Sequence, residues 1–169
     1  MSAIALRPFL PTDAQRCIEI FRASIEELAS EDYDEDQREA WSARADDAEA
    51  FAGRLSETLT LIASLDGTSV GFASLKGLAV LDMLYVDPAF ARRGVGSALI
   101  DALVRIAEAR GAEKLSADVS DSARPLFERN GFVAQRRNLA GIGDQWLGNT
   151  TMTRAFAKSV AAAEPTTRH

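Results

Sequence analysis

Apolar positions along the chain switch between helical and strand periods, and the clearest switch lies in residues 78–111. Residues 78–86 are apolar and β-branched enough for a mostly buried strand, which Asp87 and Pro88 end. After a short loop, Val95, Leu99, Leu103 and Ile106 recur at helical spacing, with Ala98, Ala102 and Ala107 beside them and Asp101, Arg105 and Glu108 opposite. Gly111 is placed to end that helix.

Upstream, residues 4–7 read as a short strand that Pro8 stops. Thr12 and Gln15 have the spacing of a capping box, which opens a helix carrying Cys17, Ile18, Phe21, Ile25 and Leu28 on one stripe. Asp34 and Gln37 repeat the cap for a helix running through Trp41 to about Ala43, and Phe51 and Leu55 mark a third helical piece over roughly 45–55. Strands at 58–64 and 69–75 are joined at Asp66-Gly67, a hairpin signal. Downstream come a strand at 114–119, a short helix at 122–129 ended by Asn130-Gly131, and closing strands at 132–137 and 150–156. Gly141, Gly143 and Gly148 read as a loop between those last two strands. With no repeat and no linker, residues 1–156 are expected to form a single domain, and 157–169 a disordered tail.

Composition narrows the class. Apolar residues make up 47% of the 169 and charged residues 26%, the balance of a globular protein rather than a fibrous or disordered one. No apolar run reaches the ~20 residues of a membrane span, and the N-terminus lacks the basic start and apolar core of a signal peptide. Cys17 is alone, which fits a reducing, cytoplasmic location. His169 is the single histidine and lies in the tail, so histidine catalysis and histidine-based metal sites are excluded, and no metal is expected. Formal charge is −6, but residues 26–57 alone carry twelve acidic side chains against Arg38, Arg44 and Arg54, leaving +3 for the remainder. So acidic a chain is a poor nucleic-acid binder. The acidic stretch reads either as a solvated helical face or as a field that draws a cationic amine.

The candidate chemistry sits where the central strand meets its helix. Arg92-Arg93-Gly94-Val95-Gly96-Ser97 brings two glycines, two arginines and a run of free backbone N–H groups to a helix N-terminus, a site for phosphate. A P-loop is excluded because no lysine follows Gly96. A Rossmann fingerprint is disfavoured because Leu99 stands where its third glycine or alanine belongs. The segment from Ala91 to Gly96, after Leu84-Tyr85-Val86-Asp87-Pro88, resembles the Gln/Arg-x-x-Gly-x-Gly/Ala acyl-CoA loop of the GNAT N-acetyltransferases, matching both glycines and departing at Ala91. Leu6-Arg7-Pro8 with Asp13, Gly71-Phe72 and the stretch from Phe127 to Phe132 stand where that family has its landmarks, so the resemblance runs from Ile4 to about Phe156. It is nearest to a bacterial branch of undefined substrate.

The resemblance implies an α+β fold, α/β/α layered, whose central mixed, mostly antiparallel sheet is flanked by helices. It also implies an enzyme that moves the acetyl group of acetyl-CoA to a primary amine of a small molecule or peptide, by direct attack in a ternary complex. The pyrophosphate would rest on Ala91, Arg92, Arg93, Gly94, Val95, Gly96 and Ser97. The pantetheine arm would pair with Leu84, Tyr85 and Val86, near Ser120 and Phe127. Asp82 interrupts the apolar strand and is the candidate base, since burial would raise its pKa from about 3.9. Simple alternation puts Asp82 on the face of Val80, Leu84 and Val86, unless a bulge breaks the parity. The family often has a tyrosine acid where Phe127 stands, which leaves Tyr85, Ser122 or water to protonate the thiolate. Tyr33, Gln37 and Trp41, spaced by four, form a candidate acceptor surface. The alternative is a non-catalytic acyl-CoA sensor, which Phe127 suggests. The expected partner is an amine acceptor, not nucleic acid or membrane, and a homodimer stays open.

Overall fold

A computed structural model describes residues 3–156; the expected tail at 157–169 lies outside them. The strands are β1 (Ile4–Pro8), β2 (Leu59–Leu65), β3 (Thr68–Lys76), β4 (Val80–Val86), β5 (Lys114–Ser120), β6 (Val133–Ile142) and β7 (Gln145–Ala155). The helices are α1 (Ala14–Leu28), α2 (Glu35–Ser42), α3 (Ala48–Glu57), α4 (Val95–Ala109) and α5 (Arg124–Arg129). The strands form one sheet in the order β1-β2-β3-β4-β5-β7-β6, in which β4 and β5 alone are parallel. That is the expected mixed, mostly antiparallel sheet between helical layers.

Each face of the sheet buries its own core. On one face Val95, Leu99, Ile100, Leu103, Val104 and Ala107 of α4 pack against Val70, Ala73, Leu75 and Leu115. On the other, Cys17, Ile18, Phe21 and Ile25 of α1, with Phe51 and Leu55 of α3, pack against Ile62, Phe72 and Met83. The helical stripes read from spacing are therefore the buried ones, except that Leu28 at the end of α1 is 42% exposed. Cys17 is core, and burial pushes its thiol up to about 12, which removes it as a nucleophile. No helix among the described residues is long and apolar enough to cross a membrane.

Two local expectations are corrected. Thr12 and Gln15 form no capping box: Asp13 sits at the N-cap of α1 without capping it, and turns its carboxylate to both Arg7 nitrogens at 2.7 and 2.8 Å and to the Leu10 N–H at 2.8 Å. Of the glycines expected in a loop at 138–149, Gly143 alone lies in a turn, with φ of 60°, while Gly141 and Gly148 lie in β6 and β7, which pair from Val133↔Thr153 to Ile142↔Gln145. Gly148 lies under the Arg137 guanidinium, where an added Cβ would come within 2.3 Å of Nη2, and Gly141 lies under the Trp146 ring at 3.1 Å. These strand glycines leave room for a neighbour.

The Arg7–Asp13 pair ties β1 to the start of α1. The Arg7 guanidinium holds the Asp13 carboxyl below the usual carboxylate range, against the opposing cost of burial. The native state therefore binds fewer protons here than the unfolded chain, and the stabilisation is present above the ordinary carboxylate pKa of about 4 and lost as pH falls through the lowered native value. Asp13→Asn is expected to lower the melting temperature at pH 7 and to flatten its decline below about pH 4, read by thermal unfolding across a pH series.

Candidate active site

The site begins as a gap in the sheet. Parallel β4 and β5 pair at Val80↔Ser116 and no farther, so their C-terminal ends are unpaired to each other. The Asp87 N–H donates to the Val70 carbonyl at 2.8 Å, which sets the phase of the β3–β4 ladder. With Gly71↔Val86 and Ala73↔Leu84 in register, Leu84 and Val86 fall at positions that exchange no hydrogen bonds with β3 and turn their N–H and C=O toward the gap. An outer groove of about 1180 Å³ and an inner cavity of about 310 Å³ open there. Trp41, Leu84, Tyr85, Ser120 and Ala123 line both, so the two spaces meet at the exposed end of β4.

The outer groove ends on the N-terminus of α4. Arg92 and Gly94 take positive φ of 63° and 87°, which aims the loop, and Gly94 occupies the N-cap with no capping side chain. The first helical bond runs from the Ala98 N–H to the Gly94 carbonyl at 3.0 Å, so the N–H groups of Val95, Gly96 and Ser97 have no acceptor within the helix. They stand at the positive end of the helix dipole. Ala91, Arg92, Gly94, Val95, Gly96 and Ser97 line the groove, as do Val86, Ser122 and Arg129. Arg93 does not: its guanidinium lies over the Phe90 ring, 5.6 Å from the centroid. Arg129 carries no sequence signal as a groove residue, because its place depends on α5 packing beside α4. There Gly96 lies so close to Leu126 that a Cβ would meet Cδ2 at 2.8 Å.

A bulge shapes the inner cavity. Ser74 pairs with Met83 and Leu75 with Leu81, so Asp82 is the extra residue of β4. Leu81 accordingly packs on the α4 side and Met83, two residues on, with α1 and α3. The simple alternation that put Asp82 with Val80, Leu84 and Val86 is thus corrected. Asp82 lines the inner cavity, where it is half-buried and paired. Both of its oxygens accept from Arg54, from Nε and Nη2 at 3.1 Å each. A second carboxylate, Asp118, which spacing alone did not single out, also lines the cavity and accepts from Thr151 Oγ1 at 2.6 Å.

The remaining candidates divide. Tyr85 packs against Phe21, Phe72 and Trp41; its hydroxyl accepts from Trp41 Nε1 at 3.3 Å, and burial pushes its phenol upward. Phe127 is buried against Phe132 and lines the inner cavity rather than the groove. The Ser120 hydroxyl accepts from the Ala123 N–H at 3.2 Å. Ser122 donates to Asp32 at 2.8 Å and faces the groove alone. Gln37 lines neither space. Its Oε1 accepts from the Asp34 N–H, completing the predicted capping box, and its Nε2 donates to the Trp146 carbonyl at 2.8 Å. It caps α2 and ties it to the β6–β7 hairpin, so the acceptor-surface reading of Gln37 is corrected.

Tyr33 lines the inner cavity with its ring while its hydroxyl is engaged, donating to the Gly148 carbonyl at 2.5 Å and accepting from the Asp121 N–H at 2.9 Å. It thereby joins β7 to the end of β5. Burial pushes its phenol upward. Nearby, Arg137 Nη2 donates to Asp121 at 2.9 Å and holds that carboxyl below its usual range. Tyr33→Phe would strand two backbone groups and is expected to cost about 1–3 kcal/mol, read as a lowered denaturant midpoint with unchanged slope.

The family model described as "Acetyltransferase (GNAT) domain" matches residues 29–148. The N-acetyltransferase YafP of Escherichia coli (strain K12) is 32% identical over 152 residues, covering 90% of this chain and 96% of its own. A solved structure titled as a GCN5-related N-acetyltransferase, "Aminotransferase, Class-II", from Rhodopseudomonas palustris is 54% identical with a TM-score of 0.90, covering 92% of this chain and 98% of that one. The PaiA N-acetyltransferase of Thermoplasma acidophilum, solved with coenzyme A, shares the fold at 22% identity and a TM-score of 0.77, over 91% of this chain and 99% of that one.

Proposed function

The chain belongs to the GNAT acetyltransferase family, and from that we propose that it moves the acetyl group of acetyl-CoA to a primary amine of a small molecule or peptide, by direct attack in a ternary complex. The observation that carries this reading is the meeting of the outer groove and inner cavity at Leu84 and Tyr85. A thioester laid along the groove is presented there to an amine entering from the other side.

The residues divide the work accordingly. The unpaired N–H groups of Val95, Gly96 and Ser97, with Arg92 and Arg129, suit a pyrophosphate. The Leu84 and Val86 backbone groups that face the gap suit the amides of a pantetheine arm, which pairs as a strand would. An N–H of that edge can donate to the oxyanion as the carbonyl is attacked. Asp82, oriented by Arg54, and Asp118 line the inner cavity and are the candidates to receive the ammonium proton, directly or through water. Tyr85, which lines both spaces, is the candidate to return a proton to the leaving sulfur.

Free-thiol release from acetyl-CoA against a panel of amines tests the reading. Turnover that depends on one class of amine supports it. Saturable coenzyme A binding with release no faster than amine-free hydrolysis, across the panel, would leave the acyl-CoA sensor that Phe127 favours.

A further inference from the structure

Among the described residues, the arginines whose side chains meet no hydrogen-bond acceptor, carboxylate or aromatic ring are Arg44, Arg92, Arg110 and Arg129. Two of the four, Arg92 and Arg129, line the outer groove, where the phosphates are proposed to bind. Arg110 directly follows the last turn of α4, where the helix dipole favours a cation. Arg44 is the fourth, and it lines the inner cavity from the turn between α2 and α3.

Its isolation is notable because it lies in the most acidic stretch of the chain. The two carboxylates that follow it most closely in the chain are already engaged: Asp46 by Arg22 at 2.9 Å, and Asp47 by the Ala50 N–H at 3.0 Å. The other guanidinium of the cavity, Arg54, is matched by Asp82. The inner cavity therefore holds one uncompensated cation on its helical wall, and a carboxylate, Asp118, on its β5 wall. The charge of Arg44 also reaches Tyr85, where it opposes the upward push of burial on the phenol.

We infer that the acceptor is zwitterionic: besides its amine it carries an anionic group, a carboxylate or a phosphate, which Arg44 receives at the edge of the inner cavity. This rests on the acetyl-transfer reading above. A guanidinium binds either oxyanion through paired N–H donors. Polyamines and plain alkylamines, which bring only positive charge, gain nothing from Arg44 and are repelled by it.

Matched pairs of acceptors test the inference: phenylalanine against phenethylamine, glycine against methylamine, and phosphoethanolamine against ethanolamine. The member that carries the anionic group is expected to be preferred in at least one pair, about tenfold or more in kcat/KM, a modest figure because Arg44 is solvent-exposed. Which pair shows the preference separates carboxylate from phosphate. Arg44→Gln is expected to bring that ratio toward one, mainly through KM, and Arg44→Lys to restore part of it. Preference for the members that lack the anionic group, or a ratio that Arg44→Gln leaves unchanged, overturns the inference while acetyl transfer stands. If no amine releases thiol, it is the acetyl-transfer reading that fails. Calorimetric titration of the same compounds into the coenzyme A-saturated protein then decides the role of Arg44. Anionic compounds that bind more weakly to Arg44→Gln support it, and equal or absent binding to both proteins overturns it.

Discussion

Gly94→Asp is expected to weaken coenzyme A binding by about a hundredfold or more while leaving the fold intact. The backbone at position 94 has φ of 87°, and the nearest atom to an added Cβ is Ile4 Cδ1 at 3.8 Å, so the side chain has room. Aspartate and asparagine adopt this left-handed conformation more readily than other residues with a side chain, and the strain costs on the order of 1–2 kcal/mol. What aspartate adds is a carboxylate beside the N–H groups of Val95, Gly96 and Ser97. A negative charge there is welcome to the empty helix end and repels a pyrophosphate. Gly94→Asn carries the same shape and the same backbone strain without the charge, and is expected to bind within about tenfold of the native protein. Calorimetric titration of coenzyme A into both variants, beside their melting temperatures, separates charge from strain. Native affinity in Gly94→Asp would remove the phosphates from this loop.

The geometry of the loop before α4 was legible because its signal is local. A strand that stops at Asp87-Pro88, two glycines, and a helical stripe beginning at Val95 together place free N–H groups at a known point, and the structure starts α4 at that residue. The cap at Asp34 and the turn at Asp66-Gly67 were legible for the same reason. Features set by distant partners were not. The bulge at Asp82 exists in the register against Ser74 and Leu75, some eight residues back across a turn, and nothing in residues 80–86 announces it. Asp82 read alone is a carboxylate in an apolar strand; that Arg54 of α3 engages it depends on how α3 lies over the sheet. Gln37 misled because a capping glutamine and a pocket-lining one share the same spacing to Trp41. The glycines at 141 and 148 misled because a strand glycine beneath Trp146 or Arg137 has the same letter as a loop glycine.

Tyr85→Phe is expected to lower kcat by about a hundredfold while the affinity for coenzyme A changes only a few-fold, the signature of a lost general acid. Tyr85 and Ser120 line both groove and cavity, Tyr33 lines the cavity and Ser122 the groove, and of these four hydroxyls three are committed or poorly suited. The Tyr33 proton goes to the Gly148 carbonyl, and the Ser122 proton to Asp32. Ser120 lies at the junction, but an aliphatic hydroxyl is a far weaker acid than a phenol. Phe127 brings no proton at all. The Tyr85 oxygen accepts from Trp41 Nε1, which leaves its own proton uncommitted among the described contacts. Burial raises its phenol above the ordinary value of about 10, so it stays protonated at neutral pH and can donate there. The rate should therefore show no alkaline fall from this group below about pH 10. A positioning role through Trp41 is distinguishable, because it would move KM for the amine more than kcat. Leaving-group dependence is the sharper measurement. Acetyl thioesters of more acidic thiols need less help from an acid, so the deficit of Tyr85→Phe should shrink with them, and a deficit that stays constant across such a series would take the proton donor away from Tyr85.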